Sequence, residues 1–422
     1  MLRVLLLMAV AAVMAVACGV EQGETPNPAP SNPTATATAE VEPDGPYTRL
    51  LARIPDTEET RWSVSMTDMA AVRDLAGVDR PGDEADADDM MDYLVALHTA
   101  VSDRGGRGLG FEGWLSGMHQ EQLSSGVSPR PYLAFDARDV DQVVEYGAAP
   151  GRVELIHGNY APEATDSALE SCDECEEHET VEHAGEMFYV WNEDAEGQVA
   201  KRRAPPAFDE VGRGGQVHVG EGFVSRTLSN DKMKLLIDTA VGNKPSLADS
   251  EDYLLAANVL EDSETVTAIF SSVDYSTANL LQMLGSRFSS HDSITQTEIE
   301  AQMSAGPLLL PFNMLASGMG FSDDDVFTTL VIVHDTEADA AENAGRLEQR
   351  IESAEMPLWQ VMARPPDGES EPVYWRDRLD DYEITAEGRT VIARLQGAGN
   401  MDLTLLPSGF FGGVLIPLTV HE

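Results

Sequence analysis

Two cysteines and two histidines form the densest group of residues capable of chemistry in this sequence. Cys172, Cys175, His178 and His183 follow the spacing Cys-x2-Cys-x2-His-x4-His. Thiolate and imidazole are ligands that zinc accepts in proteins. The same Cys-x2-Cys spacing also occurs in redox pairs and in small disulfide loops. The motif therefore leaves three interpretations, namely a zinc site, a redox site and a structural disulfide.

The surroundings of the two cysteines favour the disulfide. Six acidic residues lie between positions 173 and 182. A redox thiol needs a stabilised thiolate, and nearby carboxylates act against one. An acidic field suits a metal cation, but an exported site would have to keep its thiols reduced. We expect Cys172 and Cys175 to form a disulfide before the next strand, with zinc bound by Cys172, Cys175, His178 and His183 as the alternative.

The segment His178-Glu179-Thr180-Val181-Glu182-His183 resembles the zinc-protease motif only superficially, because the second histidine comes one residue late. On a helix, residues i and i+4 share a face, whereas residue i+5 points about 100° further round. Two imidazoles so placed cannot bind one metal ion beside that glutamate. We therefore expect no metalloprotease of this type.

The N-terminus carries a short apolar segment followed by a cysteine. Arg3 precedes the 14-residue run from Val4 to Ala17, which ends in Ala15-Val16-Ala17-Cys18-Gly19. A run of this length is too short for a transmembrane helix but has the length of a signal-peptide core. The segment resembles the signal peptide and lipobox of bacterial lipoproteins. That resemblance implies cleavage before Cys18, acylation of its thiol and a place on the extracytoplasmic face of the cell membrane; an ordinary secretory signal with a free Cys18 is the alternative.

Residues 19–46 are rich in proline, threonine and alanine and contain no aromatic residue. Such a composition cannot bury enough apolar area to fold, so we expect an extended tether. At about 3.1 Å per residue it would reach at most about 90 Å. The expected order is a signal peptide at 1–17, the lipidated cysteine and tether at 18–46, and two domains at 47–262 and 263–422.

The sequence is strongly acidic, with 27 basic residues against 73 acidic ones and a formal net charge of −46. Removal of residues 1–17 would take away one arginine and leave −47. Nucleic-acid binding needs a basic patch, so this class of partner is excluded. The charge otherwise indicates a hydrated, self-repelling surface. The expected partners are the membrane, through the lipid, and a protein or small molecule.

Alternating helix and strand signals predict the fold class. Helical periodicity marks residues 90–101 and 337–353, and Ser229 and Ser246 are expected N-caps. Short β-branched or aromatic runs predict strands, and Glu387-Gly388 predicts a tight hairpin. The predicted strands are Val153–His157, Met187–Trp191, Gln216–Val219, Thr265–Phe270, Val326–Val333, Tyr382–Ala386 and Arg389–Leu395. These signals predict an α+β fold with mixed or antiparallel sheets and helices packed on them.

Two stretches repeat the same order of elements. The strands ending at His157 and His334 are each followed by a helix and then by further strands. The order suggests a duplicated βαββα unit with two similar sheets. Histidines at strand ends are expected to be hydrogen-bonded rim residues, and the five scattered tryptophans are expected to serve packing.

No set of residues in the sequence identifies a reaction. We expect a membrane-anchored extracytoplasmic lipoprotein that acts as a non-enzymatic binding or interaction module, without a cofactor. The first alternative is the substrate-binding lipoprotein of a transporter, which would show a deep cleft between two lobes. The second is a metal-dependent envelope enzyme that uses the Cys172–His183 cluster.

Overall fold

In the computed structural model, twelve antiparallel strands form one sheet. The structure describes residues 45–102, 130–147, 151–171, 178–191, 215–279, 306–322, 325–353, 375–377, 379–397 and 420–421. The strands are β1 (Val64–Asp68), β2 (Val140–Tyr146), β3 (Val153–Gly158), β4 (Glu179–His183), β5 (Glu186–Val190), β6 (Gln216–Gly220), β7 (Phe223–Thr227), β8 (Thr265–Ser271), β9 (Met314–Ser322), β10 (Asp325–Val333), β11 (Leu379–Glu387) and β12 (Thr390–Gly397). Their order in the sheet is β11-β12-β10-β9-β8-β1-β2-β3-β7-β6-β5-β4. The predicted α+β class is confirmed.

Helices cover both faces of this sheet. They are α1 (Pro46–Leu51), α2 (Glu58–Trp62), α3 (Met69–Ala76), α4 (Ala87–Ser102), α5 (Arg130–Leu133), α6 (Pro162–Glu170), α7 (Asn230–Ala240), α8 (Glu251–Asp262) and α9 (Glu337–Ser353). Residues of α1, α7 and α8 share one buried cluster with the sheet, on what we call face 1. Residues of α3, α4, α6 and α9 are buried on the opposite side, face 2. The core therefore consists of two apolar layers separated by the sheet.

The centre of the sheet joins the two halves of the chain. β1 pairs with β8, with Val64 opposite Phe270 and Thr67 opposite Thr267. On one side the order continues as β2, β3 and β7, and on the other as β9, β10 and β12. The boundary expected at residue 262 lies at the end of α8, and the sheet runs on across it. One continuous sheet thus takes the place of the two sheets that the sequence suggested.

The two halves arrange their elements alike around this centre. β2 and β3 form a hairpin that leads into α6, and β9 and β10 form a hairpin that leads into α9. Each helix is followed by a hairpin whose last strand returns to pair with β3 or β10. The first half contains one additional hairpin, β4–β5. The strand, the helix and the returning strand therefore lie at matching places in the sheet, whereas the last element predicted for the second unit, after Asn400, lies outside the described residues.

Two glycines allow β9 to lie close to its neighbours. A Cβ atom on Gly320 would come within 2.2 Å of the Phe327 ring, and one on Gly318 within 2.7 Å of the Thr265 side chain. Any larger residue would push these side chains away from the strand. The glycines that weaken the strand signal of this segment are therefore needed for its packing.

Helix α1 is attached to the rest of the chain by its first turn. The backbone N–H groups of Tyr47 and Thr48 donate to the Glu261 carboxylate, each at 2.8 Å. The Tyr47 hydroxyl donates to the carbonyl oxygen of Thr265 at 2.7 Å. N–H groups at a helix start have no partner within the helix, so a half-buried carboxylate that accepts them holds the helix in place. Glu261 therefore fixes the position of α1 on face 1.

Candidate functional site

The structure does not bring the two predicted histidine ligands together. The His178 ring lies against Tyr189 and Trp191, with ring centroids 5.2 Å from each. His183, at the end of β4, has its Nε2 atom 3.1 Å from Oδ1 of Asp238 in α7. Tyr189 and Trp191 belong to the core of face 2, whereas α7 packs on face 1. The two imidazoles therefore lie on opposite faces of the sheet edge, because successive strand residues alternate between faces.

His183 acts in the structure as the partner of a carboxylate. Desolvation acts to raise the pKa of Asp238, but hydrogen bonds from His183 and Asn243 lower it overall.

Cys18, Cys172 and Cys175 lie outside the described residues, so the disulfide and the lipidation remain predictions. Within the described ranges, no group of three or more His, Cys, Asp or Glu residues has the arrangement of a metal site. The pair of histidines alone does not form the zinc site that the spacing allowed.

The two histidines next to the ends of β3 and β10, His157 and His334, occupy different environments. His334 is fully buried, and its ring lies 3.4 Å from both the Asn343 amide and the carbonyl oxygen of Pro311. Burial lowers the pKa of His334. His157 is half-buried, and burial and the nearby charge of Arg49 lower its pKa. His334 is thus hydrogen-bonded as expected, but it is fully buried and does not lie at the rim.

Lowered histidine pKa values predict a loss of stability under mild acid. The folded pKa values of His157, His218 and His334 lie below 6.5, the ordinary value, chiefly through burial. The unfolded chain therefore binds more protons near pH 6, and stability falls as the pH falls. We expect the melting temperature to decrease between about pH 7.5 and about pH 5.5, above the range in which most carboxylates titrate.

Thermal unfolding followed by circular dichroism at several pH values measures this dependence. His334→Gln places a neutral amide at the buried position, so its melting temperature should fall less steeply with decreasing pH. A wild-type melting temperature that stays constant or rises over this interval would contradict the prediction.

A groove of about 590 Å³ lies beyond the end of the central strand pair β1–β8. One wall is formed by α2 with the turn before it, and the other by the segment that follows β8. Trp62, the last residue of α2, lines the groove and is 50% exposed. The lining residues are Asp56, Thr57, Glu58, Arg61, Trp62, Ser272, Val273, Asp274 and Asn279.

Hydrogen bonds hold both walls of the groove. The Thr57 and Thr60 side chains form a capping box at the start of α2. The Ser271 hydroxyl donates to the carbonyl oxygen of Trp62 at 2.7 Å, which joins α2 to β8. On the other wall, the backbone N–H of His421 donates to the carbonyl oxygen of Tyr275 at 3.2 Å. Trp62 is therefore presented on a fixed backbone.

The groove carries a net negative charge. Asp56 forms an ion pair with Arg61, so these two charges compensate each other. Glu58 is exposed, and Asp274 is mostly exposed with His421 Nε2 at 3.2 Å. Carboxylates beside an exposed indole can bind a cationic group, because the ring face attracts positive charge. The groove can thus receive an ammonium or guanidinium group.

Sequence reasoning missed this groove. Trp62 was expected to serve packing, as were the other tryptophans. Trp191 and Trp375 are indeed buried, whereas Trp62 is half exposed. Trp62 lies two residues before the start of β1, a position where a packed aromatic residue can also occur. The sequence therefore held no signal that separates the two roles.

Comparisons with known proteins give no family for this chain. No protein-family model matches the chain, and no curated protein sequence matches it. Solved structures of crystal forms I, III and IV of TP0453 are similar to it, at 9–10% sequence identity and TM-scores of 0.33–0.34. The alignments cover 82–84% of this chain and 92–95% of the TP0453 chains. Similarity of this size carries no argument about fold or function.

Proposed function

We propose that this protein is a lipid-anchored extracytoplasmic binding module without catalytic activity. The N-terminal segment ending at Cys18 and the extended composition of residues 19–46 support the anchored location. No helix in the described part of the chain has the length and apolarity needed to cross a membrane. The observation that carries the binding function is the half-exposed Trp62 in an acidic groove.

The chemistry of the groove favours a positively charged side chain of a protein partner. A lysine or arginine side chain can contact the Trp62 ring with its stem and place its charge near Glu58 and Asp274. The net charge of −46 also raises the rate at which a basic partner meets this surface. We therefore assign the binding function to recognition of a basic segment.

The continuous sheet favours an interaction module over a transporter's substrate-binding protein. A bilobed receptor would hold its ligand in a cleft between two lobes. Here β1 and β8 join the two halves by direct strand pairing. The groove lies at the end of this pair, on one side of the junction. A groove at this position is suited to a contact with the surface of a protein partner.

The anchoring is tested by expressing the full chain and its Cys18→Ala variant in a bacterial host. We expect mass spectrometry to show that the wild-type protein begins at residue 18 and carries acyl chains. The Cys18→Ala variant should lack the acyl chains and leave the membrane fraction. A native product with an intact leader would refute the anchored location.

The binding function is tested with a short synthetic peptide of lysine and arginine. The Cys18→Ala chain provides soluble protein for isothermal titration calorimetry. Trp62→Ala should weaken peptide binding about tenfold, the effect of losing a cation–π contact of 1–2 kcal/mol. Val241→Ala removes a comparably exposed apolar side chain elsewhere and should leave binding unchanged.

A non-specific attraction to the acidic surface gives a different result. In that case the peptide would bind equally well to the Trp62→Ala variant and to the parent chain. Equal affinities would refute the assignment to the groove while leaving the anchored location intact.

A further inference from the structure

The segment Val420–His421 lies behind one wall of the groove. Val420 is fully buried, and His421 is nearly so. The backbone of His421 forms parallel bridges with Ser276 on one side and with Leu309 on the other. The Leu309 N–H donates to the carbonyl oxygen of Val420 at 3.0 Å, and the Thr277 N–H donates to that of His421 at 3.3 Å. The segment is therefore held between two extended stretches of chain.

Helix α9 fixes the stretch on the far side of this segment. Asn343 of α9 is fully buried. Its Oδ1 atom accepts from the backbone N–H of Leu310 at 2.7 Å, and its Nδ2 atom donates to the carbonyl oxygen of Leu310 at 3.0 Å. Arg346, one turn further along α9, donates to the carbonyl oxygen of Leu308 at 2.7 Å. The backbone position of His421 is thus set by the packed part of the molecule.

The His421 side chain contacts the groove through Asp274. Its Nε2 atom lies 3.2 Å from Oδ1 of Asp274, which lines the groove. The Phe312 ring packs edge-on against both His421 and His334, with centroid distances of 5.1 and 6.2 Å. The His421 side chain is 8% exposed, whereas the Asp274 side chain is 60% exposed. A nearly buried imidazole therefore lies against a carboxylate that a ligand can reach.

Neighbouring residues fix the rest of Asp274. The Ser276 N–H donates to Oδ1 at 2.8 Å, and the Ser276 hydroxyl donates to Oδ2 at 2.9 Å. The Asn279 amide donates to the Asp274 carbonyl oxygen at 2.6 Å. A carboxylate has about four acceptor positions, and the exposure of Asp274 leaves room for a donor from a ligand. His421 is thus the distant member of the set of residues that orients this carboxylate.

We propose that His421 is a positioning residue of the groove, which holds the Asp274 carboxylate where it contacts a cationic group beside Trp62. This inference rests on the binding function proposed above. An acceptor that is already held in place spares the entropy of ordering it on binding. A neutral imidazole leaves the charge of the carboxylate intact, whereas an imidazolium would compensate it. The groove should therefore bind a cation best when His421 is neutral.

The proposal is tested by calorimetry with the peptide of lysine and arginine at pH 8, in the Cys18→Ala chain. His421→Ala should weaken binding about threefold, the usual effect of losing one polar contact. His421→Gln keeps an N–H donor and should restore most of the affinity. His183→Ala removes a histidine whose Nε2 atom lies 3.1 Å from Asp238, away from the groove, and serves as the matched control.

A double-mutant cycle separates positioning from a general structural effect. In an Asp274→Asn background, His421→Ala should weaken binding no further, because the group through which it acts has been removed. An equal loss in both backgrounds would overturn the proposal. Binding by His421→Ala that matches the parent chain would also overturn it, and the proposed function would stand.

The pH profile supplies a readout that does not depend on the alanine variant. Histidine gains positive charge between about pH 8 and pH 5, whereas carboxylates ordinarily titrate below this range. From pH 8 to pH 6 the affinity of the parent chain should fall about threefold, as expected for an ion pair that competes with the ligand. The affinity of His421→Gln should stay constant. Circular dichroism at each pH confirms that the fold is retained.

The remaining outcomes separate the two proposals. The same pH dependence in the parent chain and in His421→Gln would overturn the role of His421 alone. If the parent chain binds no peptide, or binds it independently of Trp62, the proposed function is refuted and this inference with it.

Discussion

Replacing Asp136 with alanine is expected to lower the free energy of unfolding by about 3–5 kcal/mol, the usual cost of leaving a buried charge without its partner. Asp136 is fully buried, and Arg138 is nearly so. The Arg138 guanidinium donates to both carboxylate oxygens, with Nε–Oδ1 and Nη2–Oδ2 distances of 2.9 Å. The backbone N–H of Arg138 also donates to Oδ1 at 3.0 Å. The substitution removes both acceptor oxygens.

A surface ion pair gives the matched control. Glu342 is mostly exposed and pairs with Arg346 one turn away on α9. Exposed pairs of this kind contribute only about 0.3–0.5 kcal/mol, so Glu342→Ala should change stability little. Urea unfolding followed by circular dichroism measures both variants.

The double variant Asp136→Ala/Arg138→Met tests the reason for the effect. It removes the unpaired charge and should recover part of the stability lost in Asp136→Ala. If Asp136→Ala unfolds at the same urea concentration as Glu342→Ala, the buried pair does not hold this segment before β2.

Replacing Phe270 with alanine is the second large effect that we expect, also about 3–5 kcal/mol for a fully buried phenylalanine. Phe270 lies in β8 at the centre of the sheet, opposite Val64 of β1. Its ring contacts Tyr47 of α1 and Tyr253 of α8, with centroid distances of 6.2 and 6.3 Å. Alanine would leave a cavity between the sheet and both helices of face 1.

Trp62 provides the comparison for Phe270. Trp62→Ala removes a larger side chain near the same end of the central strands, but that side chain is half exposed. Its loss should cost about 1 kcal/mol or less, as is usual for positions outside the core. Thermal unfolding of the two variants checks the prediction, and equal losses of stability would show that the centre of the sheet is not packed as described.

Sequence patterns predicted the elements that carry a strong local signal. The helix expected at 337–353 is α9, and the expected hairpin around Gly388 joins β11 to β12, with Gly388 at φ +56°. Ser229 caps α7 as expected, its Oγ accepting from the backbone N–H of Lys232 at 3.4 Å. Here the local residues alone decide the structure.

Other elements depend on contacts that the sequence does not display. Ser246 opens a 3-10 turn at Leu247–Asp249, and α8 begins only at Glu251, so the predicted start of this helix was wrong. β4 was missed because its charged residues give no apolar alternation, and pairing with β5 forms the strand. β9 was missed because its glycines, which close packing requires, lower the strand propensity.

The candidate sites depend even more than these elements on contacts between residues that are distant in the sequence. The Cys-x2-Cys-x2-His spacing drew attention to His178 and His183, which the sheet then separates onto opposite faces. Trp62 and Asp274 are more than two hundred residues apart in the chain and line one groove because β1 pairs with β8. Distances along the sequence cannot reveal a cluster that the tertiary fold assembles.

The pairing of β1 with β8 has a consequence for how quickly the native state forms. Thr67 and Thr267 are partners although about 200 residues separate them in the chain. Closing so long a loop is entropically costly, and proteins dominated by distant contacts fold slowly. Until β8 arrives, one side of β1 offers unsatisfied N–H and C=O groups, to which a strand of another molecule can add. Refolding yield should therefore drop as protein concentration rises, because strands of different chains can exchange at the β1–β8 pair.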